Sequence, residues 1–221
     1  MTTMPDYDRA AIKAAEMLIK HQTSAAPVDP FTMLRKIPGV IMVSFAELSS
    51  KLGIDRDNLV TMFGESNQDA VTSVKPKEGS LEYIVTYNQR LPYYLMQRAL
   101  ARELGHIVLQ HDGTLPEDVR IEEALAFSRH LLCPRPVLRM IQDAGIPITI
   151  ELLGGITGCY RKCLEGMQKT PGAHVPPELN RMIKEQFATY IKNFVSYAVT
   201  VKDDDHSMLA DFGTYFDNYE D

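Results

Sequence analysis

No apolar run in the 221-residue chain approaches the roughly 18–20 residues needed to span a bilayer, so no membrane-spanning segment is expected. The opening residues, MTTMPDYDRAA, lack a basic stretch followed by an apolar core, and no signal peptide is read there. Cysteine is scarce: Cys133, Cys159 and Cys163 are the only three. An odd number with no secretion signal argues against a disulfide framework and for a reducing cytoplasm. Cys159 and Cys163 are four apart, on one face of an expected helix, and read better as small buried apolar residues than as a metal pair. Internal repeats and long low-complexity stretches are missing as well. An excess of positive charge is also missing. The net charge is −6, and residues 202–221 account for it, with Lys202 set against seven acids. A neutral body with an acidic tail is a poor electrostatic match for nucleic acid.

What is present suits one compact domain of about 150 residues with additions. Residues 8–22 carry Ile12, Ala15 and Leu18 at helical spacing, and Pro27 and Pro30 end that pattern. FTMLRKI reads as a short helix leading into a buried strand at Val40–Val43. Ser44 is a plausible cap for a helix over SFAELSSKLGI. Met62–Phe63 and residues 70–74 read as a second strand, 75–80 as a turn, and LEYIVTYN (81–88) as the clearest strand. Helical periods then follow over 93–110, with Pro92 in its first turn, and over 117–132 and 137–143. Thr149 and Thr157 read as N-caps of short helices at 150–153 and 158–168, with Gly154–Gly155 as the turn between them. A long helix over 178–201 groups Leu179, Met182, Ile183, Phe187, Tyr190, Ile191, Phe194 and Val195 on one side. Strands come early and helices late, which is the α+β pattern.

The segment with most chemistry is Ala99–His111, ALARELGHIVLQH. A zincin helix carries two His at i and i+4, on one face, with a Glu after the first as general base. Here His106 stands at the second His position and Glu103 at the Glu position, while Arg102 replaces the first His. Taken alone, a Glu and a His three residues apart on a helix is common, and both can be satisfied by ordinary hydrogen bonds. His111 lies about 140° around a continuous helix from His106 and is not expected to stand in as a ligand. His21, His130, His174 and His206 have no ligand-like spacing and read as surface residues.

Four segments in sequence order carry a resemblance. They are PVDPFTMLRKIPGVIMV, TYNQRLPYYLMQRALARELGHIVLQHDG, IEEALAFSRHLLCPRPVL and ITIELLGGITGCYRKCLEGM. Over residues 8–168 the chain resembles the ImmA/IrrE family of zincin peptidases. The resemblance implies that Glu103 occupies the general-base position, His106 the second zinc-ligand position and Arg102 the place of the first His ligand. Counting back from Leu131-Leu132-Cys133-Pro134 puts the third ligand position at Ile121. Glu122 and Glu123 are the neighbouring alternatives if the register shifts by one or two.

Arg is a permanent cation with no lone pair for a metal, and Ile121 offers none either. His106 alone falls short of three protein ligands plus water, and without zinc Glu103 has no acidified water to activate. Arg102 either points to solvent or fills the old metal position and pairs with Glu103, Glu122 or Glu123.

The expected fold is an α+β, zincin-like domain with a small sheet of about three strands and a helical C-terminal extension. Residues 8–145 form the zincin-like part, 146–201 a helical region and 202–221 an acidic tail. The expected function is that of a cytoplasmic pseudo-peptidase that binds a regulatory protein, such as a mobile-element repressor, with no cofactor. One alternative is an active zinc endopeptidase with an unusual ligand set. The other is a DNA-associated regulator acting through 146–168, where Arg161 and Lys162 are exposed on a helix-turn-helix.

Overall fold

In the computed structural model of the chain, the β-branched and aromatic run at 81–87 forms the middle of the sheet. Ser80–Tyr87 is the middle strand, β3, of a three-stranded sheet. Val40–Ser44, β1, pairs with it in parallel, and Ala70–Lys77, β2, pairs antiparallel on the other side. β2 is therefore an edge strand of this sheet. The structure describes residues 4–63, 69–77, 80–111, 113–158 and 173–204.

The helices are α1 (Tyr7–Lys20), α2 (Pro30–Arg35), α3 (Phe45–Leu52), α4 (Arg56–Phe63), α5 (Tyr93–Val108), α6 (Glu117–Leu132), α7 (Arg135–Asp143), α8 (Ile150–Thr157) and α9 (Pro177–Asp204), and α2, α3 and α5 pack on the sheet. The class is mixed α+β, and every described element after β3 is a helix. Local chemistry accounts for most helix starts. The Asp6 carboxylate accepts from the Arg9 N–H at 2.8 Å and caps α1. Asp29 caps α2, whose first residue, Pro30, has no N–H to leave unsatisfied. Ser44 and Glu47 form a reciprocal capping box at α3.

α5 and α6 pack against each other, and α1 lies on α6. Leu100 and Leu104 of α5 and Phe127 and Leu131 of α6 are fully buried, each contributing about 1.5–3 kcal/mol by leaving water. Gly105 permits the close approach. A Cβ there would lie 3.2 Å from the Ala124 backbone and 3.1 Å from the Phe127 ring. Ile183, Phe187 and Ile191 of α9 join the same core, and α9 packs on α1 and α7.

Several sequence expectations need correction. Met62–Phe63 belongs to helix α4, not to a strand; Asp55 starts that helix by accepting from the backbone N–H groups of Asp57 and Asn58. β2 runs through the expected turn to Lys77, with Pro76 opposite Leu81, a position an edge strand tolerates. Pro92 is the N-cap of α5, and α5 ends at Val108 rather than at 110. α8 is one helix through Gly154 and Gly155 to Thr157, whose hydroxyl donates to the Leu153 carbonyl. Thr157 is thus not an N-cap, and the turn falls at Gly158, where φ is +65°. Residues 159–168 of the expected second short helix, including Cys159, Arg161, Lys162 and Cys163, lie outside the described residues, as does His206. Met182 is 39% exposed rather than part of the buried face of α9. His21 and His130 are half-buried, not surface residues, whereas His174 is exposed.

Candidate functional site

Arg102, Glu103 and His106 project from α5 into a cleft of about 380 Å³. Val71, Thr72 and Val74 of β2 and Tyr83 of β3 form its sheet side. Glu117, Arg120 and Ile121 of α6 form the opposite side, and His111 and Gly113 close the end.

Glu103 is 3% exposed, and both carboxylate oxygens are engaged. Arg102 Nε donates to Oε1 at 2.9 Å, and the Thr72 hydroxyl donates to Oε2 at 2.8 Å. Arg102 Nη2 also donates to the Ala70 carbonyl at 2.8 Å, tying α5 to the edge strand. Burial pushes the Glu103 pKa up, and the Arg102 guanidinium and the Thr72 hydroxyl oppose that shift. Arg102 is therefore a part-buried cation held against the cleft wall rather than a freely solvated surface residue. It pairs with Glu103, one of the three partners considered from the sequence.

The second half of the site runs through His111. α5 ends in a Schellman motif: the His111 N–H donates to the His106 carbonyl at 3.0 Å, and the Gln110 N–H to the Ile107 carbonyl at 3.1 Å. Gln110 takes the left-handed conformation, φ +55°, that usually falls to glycine. The reversal folds His111 back over the helix end, so its Nδ1 lies 2.8 Å from His106 Nδ1. The 140° separation expected of a continuous helix does not apply, because the helix stops first.

His111 Nε2 lies 3.0 Å from Glu123 Oε2. Glu123 is 3% exposed, and its Oε1 accepts the Asp6 backbone N–H at 2.9 Å. Arg9 approaches Glu123 to 3.9 Å and donates to the Leu109 carbonyl. With Glu123 as acceptor, His111 carries its proton on Nε2 and accepts at Nδ1. His106 then donates from Nδ1, and its Nε2 is a bare lone pair on a side chain lining the cleft. Burial pushes His106 down to about 3, and the charges of His111, Arg102 and Arg120 add to that, so it is neutral near pH 7. His111 is also lowered by burial, against the pull of Glu123.

The structure thus brings Arg102, Glu103, His106 and Ile121 to one cleft, as the sequence pattern suggested. Of the two neighbouring acids, Glu123 joins the site through His111, while Glu122 does not line the cleft. Thr72, Arg120 and the N-terminal pair Asp6 and Arg9 were not identified from the sequence, and His111, not expected to stand near His106 on a continuous helix, joins the site. Among the described residues, no group of three or more His, Cys, Asp or Glu side chains is disposed to hold a metal ion. The donor set does not fit zinc: His106 and His111 turn Nδ1 atoms toward one another, Arg102 brings a fixed positive charge, and Glu103 is already bound to it. No helix among the described residues is long and apolar enough to cross a membrane.

No family model, no curated protein and no solved structure matches this chain.

Proposed function

We propose that this chain is a cytoplasmic pseudo-peptidase: a zincin-like scaffold that binds a regulatory protein without hydrolysing it. The observation that carries the reading is the ion pair between part-buried Arg102 and buried Glu103. The resemblance puts a metal ligand and a general base at these two positions, and here they neutralise each other. A carboxylate that accepts from both Arg102 and Thr72 is a poor general base. The cleft itself persists, about 380 Å³ in volume and open beside an edge strand, with room for a side chain of a bound partner. A mobile-element repressor is the partner the resemblance suggests.

Incubating the purified chain with the repressor encoded nearest its gene tests the reading. The expected result is a complex with intact repressor, lost when Ile121→Trp fills the cleft. Cleavage of the repressor, or no complex at all, would count against it.

One observation favours a zinc endopeptidase with an unusual ligand set. The Glu123 carboxylate lies 3.0 Å from His111 Nε2, and a carboxylate on the far nitrogen of a His is a common support for a metal ligand. Stoichiometric zinc together with repressor cleavage would select that reading.

A further inference from the structure

A second cavity, about 360 Å³ in volume, lies among α1, the end of α6, the start of α7 and the first turns of α9. It shares no lining residue with the cleft. The buried side of its lining is apolar and includes Ala15, Leu18 and Ile183. The outer side is cationic, with Arg135, Arg139 and Lys184, and no carboxylate lines it among the described residues.

Arg135 and Lys184 make no ion pair among the described residues. Arg139 has a surface partner, Asp143, at 3.2 Å, with both side chains more than half exposed. Such a pair is worth little and does not neutralise the cavity. The nearby carboxylate of Asp8 accepts the His174 backbone N–H at 2.7 Å. His130 also lines the cavity and is half-buried. Burial lowers its pKa to about 4, with Arg135 and Arg129 adding to the shift, so near pH 7 it offers one N–H and one lone pair.

Cations gathered around a concave opening with no carboxylate in its lining repel each other and raise the local concentration of anions. An apolar wall behind them suits an apolar body, and a cavity of this size is in the range of small-molecule sites. We propose that this cavity binds a small organic anion, with its apolar body against Ala15, Leu18 and Ile183 and a carboxylate or phosphate head held by Arg135, Arg139 and Lys184.

The test is a titration of the ¹⁵N-labelled full chain with octanoate, reading the amides of Ala15, Leu18 and Ile183. The expected result is a saturable shift at these amides. Binding should weaken at least tenfold in the Arg135→Gln/Lys184→Gln variant, whose exchanged side chains lie outside the core. The neutral analogue octanamide should likewise bind at least tenfold more weakly than octanoate. A parallel titration with octyl phosphate distinguishes the head groups: tighter binding than octanoate assigns a doubly charged head, weaker binding a carboxylate. The proposal is overturned if octanoate gives no saturable shift at these amides, or if the variant or octanamide binds as well as the reference.

Discussion

His106 and His111 stand one turn and a half apart in sequence, yet their Nδ1 atoms lie 2.8 Å apart because the helix carrying His106 ends between them. The hinge is Gln110 in the left-handed region. A side chain there costs roughly 1 kcal/mol relative to glycine. Gln110→Gly is therefore expected to stabilise the fold by about 0.5–1 kcal/mol while keeping the histidine pair. Gln110→Val, β-branched at positive φ, should destabilise it by about 1–2 kcal/mol. Urea unfolding gives both numbers, and a stabilised Val variant would show that the Schellman turn is wrongly placed.

Arg102→Met should be among the most damaging single changes. It leaves Glu103, 3% exposed, without its cation, a situation that costs about 3–5 kcal/mol. Replacing both partners, Arg102→Met with Glu103→Leu, should recover most of that loss, since neither charge is then stranded. A double-mutant cycle by chemical denaturation measures the coupling. Additive losses would mean that the pair is not the ion pair described here.

Two helical glycines should respond with opposite signs. Alanine gains about 1 kcal/mol over glycine in a helix interior. At Gly105 the added methyl meets the Ala124 backbone at 3.2 Å, which cannot swing aside as a flexible side chain could. Overpacking of about 1–3 kcal/mol should win, and Gly105→Ala should lower Tm. At Gly155 nothing lies within 4 Å, so Gly155→Ala should raise it. Thermal unfolding of the two variants side by side checks the contrast.

Zinc should bind the wild-type chain weakly. Arg102→His with Ile121→Glu places two His at i and i+4 beside a carboxylate on α6, and both exchanged residues already line the cleft with His106. Zinc affinity should rise by about 100-fold or more in the double variant and by less in Arg102→His alone. Calorimetric titration decides it, and tight one-to-one zinc in the wild type would contradict the pseudo-peptidase reading.

His130 should impose a pH dependence on stability. Its pKa in the folded chain is about 4, below the ordinary value of 6.5, so the unfolded chain takes up the proton first. Stability contributed by the neutral ring is fully present above about pH 6.5 and is lost as pH falls toward 4. His130→Gln should therefore gain about 1–2 kcal/mol relative to wild type between pH 7 and pH 4.5, after allowance for solvent screening. Parallel urea titrations at the two pH values measure the difference, and an unchanged difference would place His130 in water.

The sequence by itself determined most of the elements and, of the cleft, Arg102, Glu103 and His106. Periodicity located α6 from Glu117 to Leu132 and the β3 strand, and the Glu103–His106 spacing placed both on one helix with Arg102 beside them. These are short-range facts, set by repeats of two and 3.6 residues that can be read locally. Tertiary structure alone decided which charge meets which. Glu122 and Glu123 look alike in sequence, but only Glu123 turns inward, and its partners, Asp6 and His111, come from opposite ends of a long stretch of chain. His111 could not be read as a neighbour of His106 because the usual glycine signal for a helix-ending reversal is absent, and Gln110 adopts that conformation in its place. The Arg102–Glu103 pair is held in place by Ala70 and Thr72 of β2, which tertiary packing sets alongside α5. Burial selects among such partners because an unpaired charge inside costs several kcal/mol, and burial is a property of the packed whole.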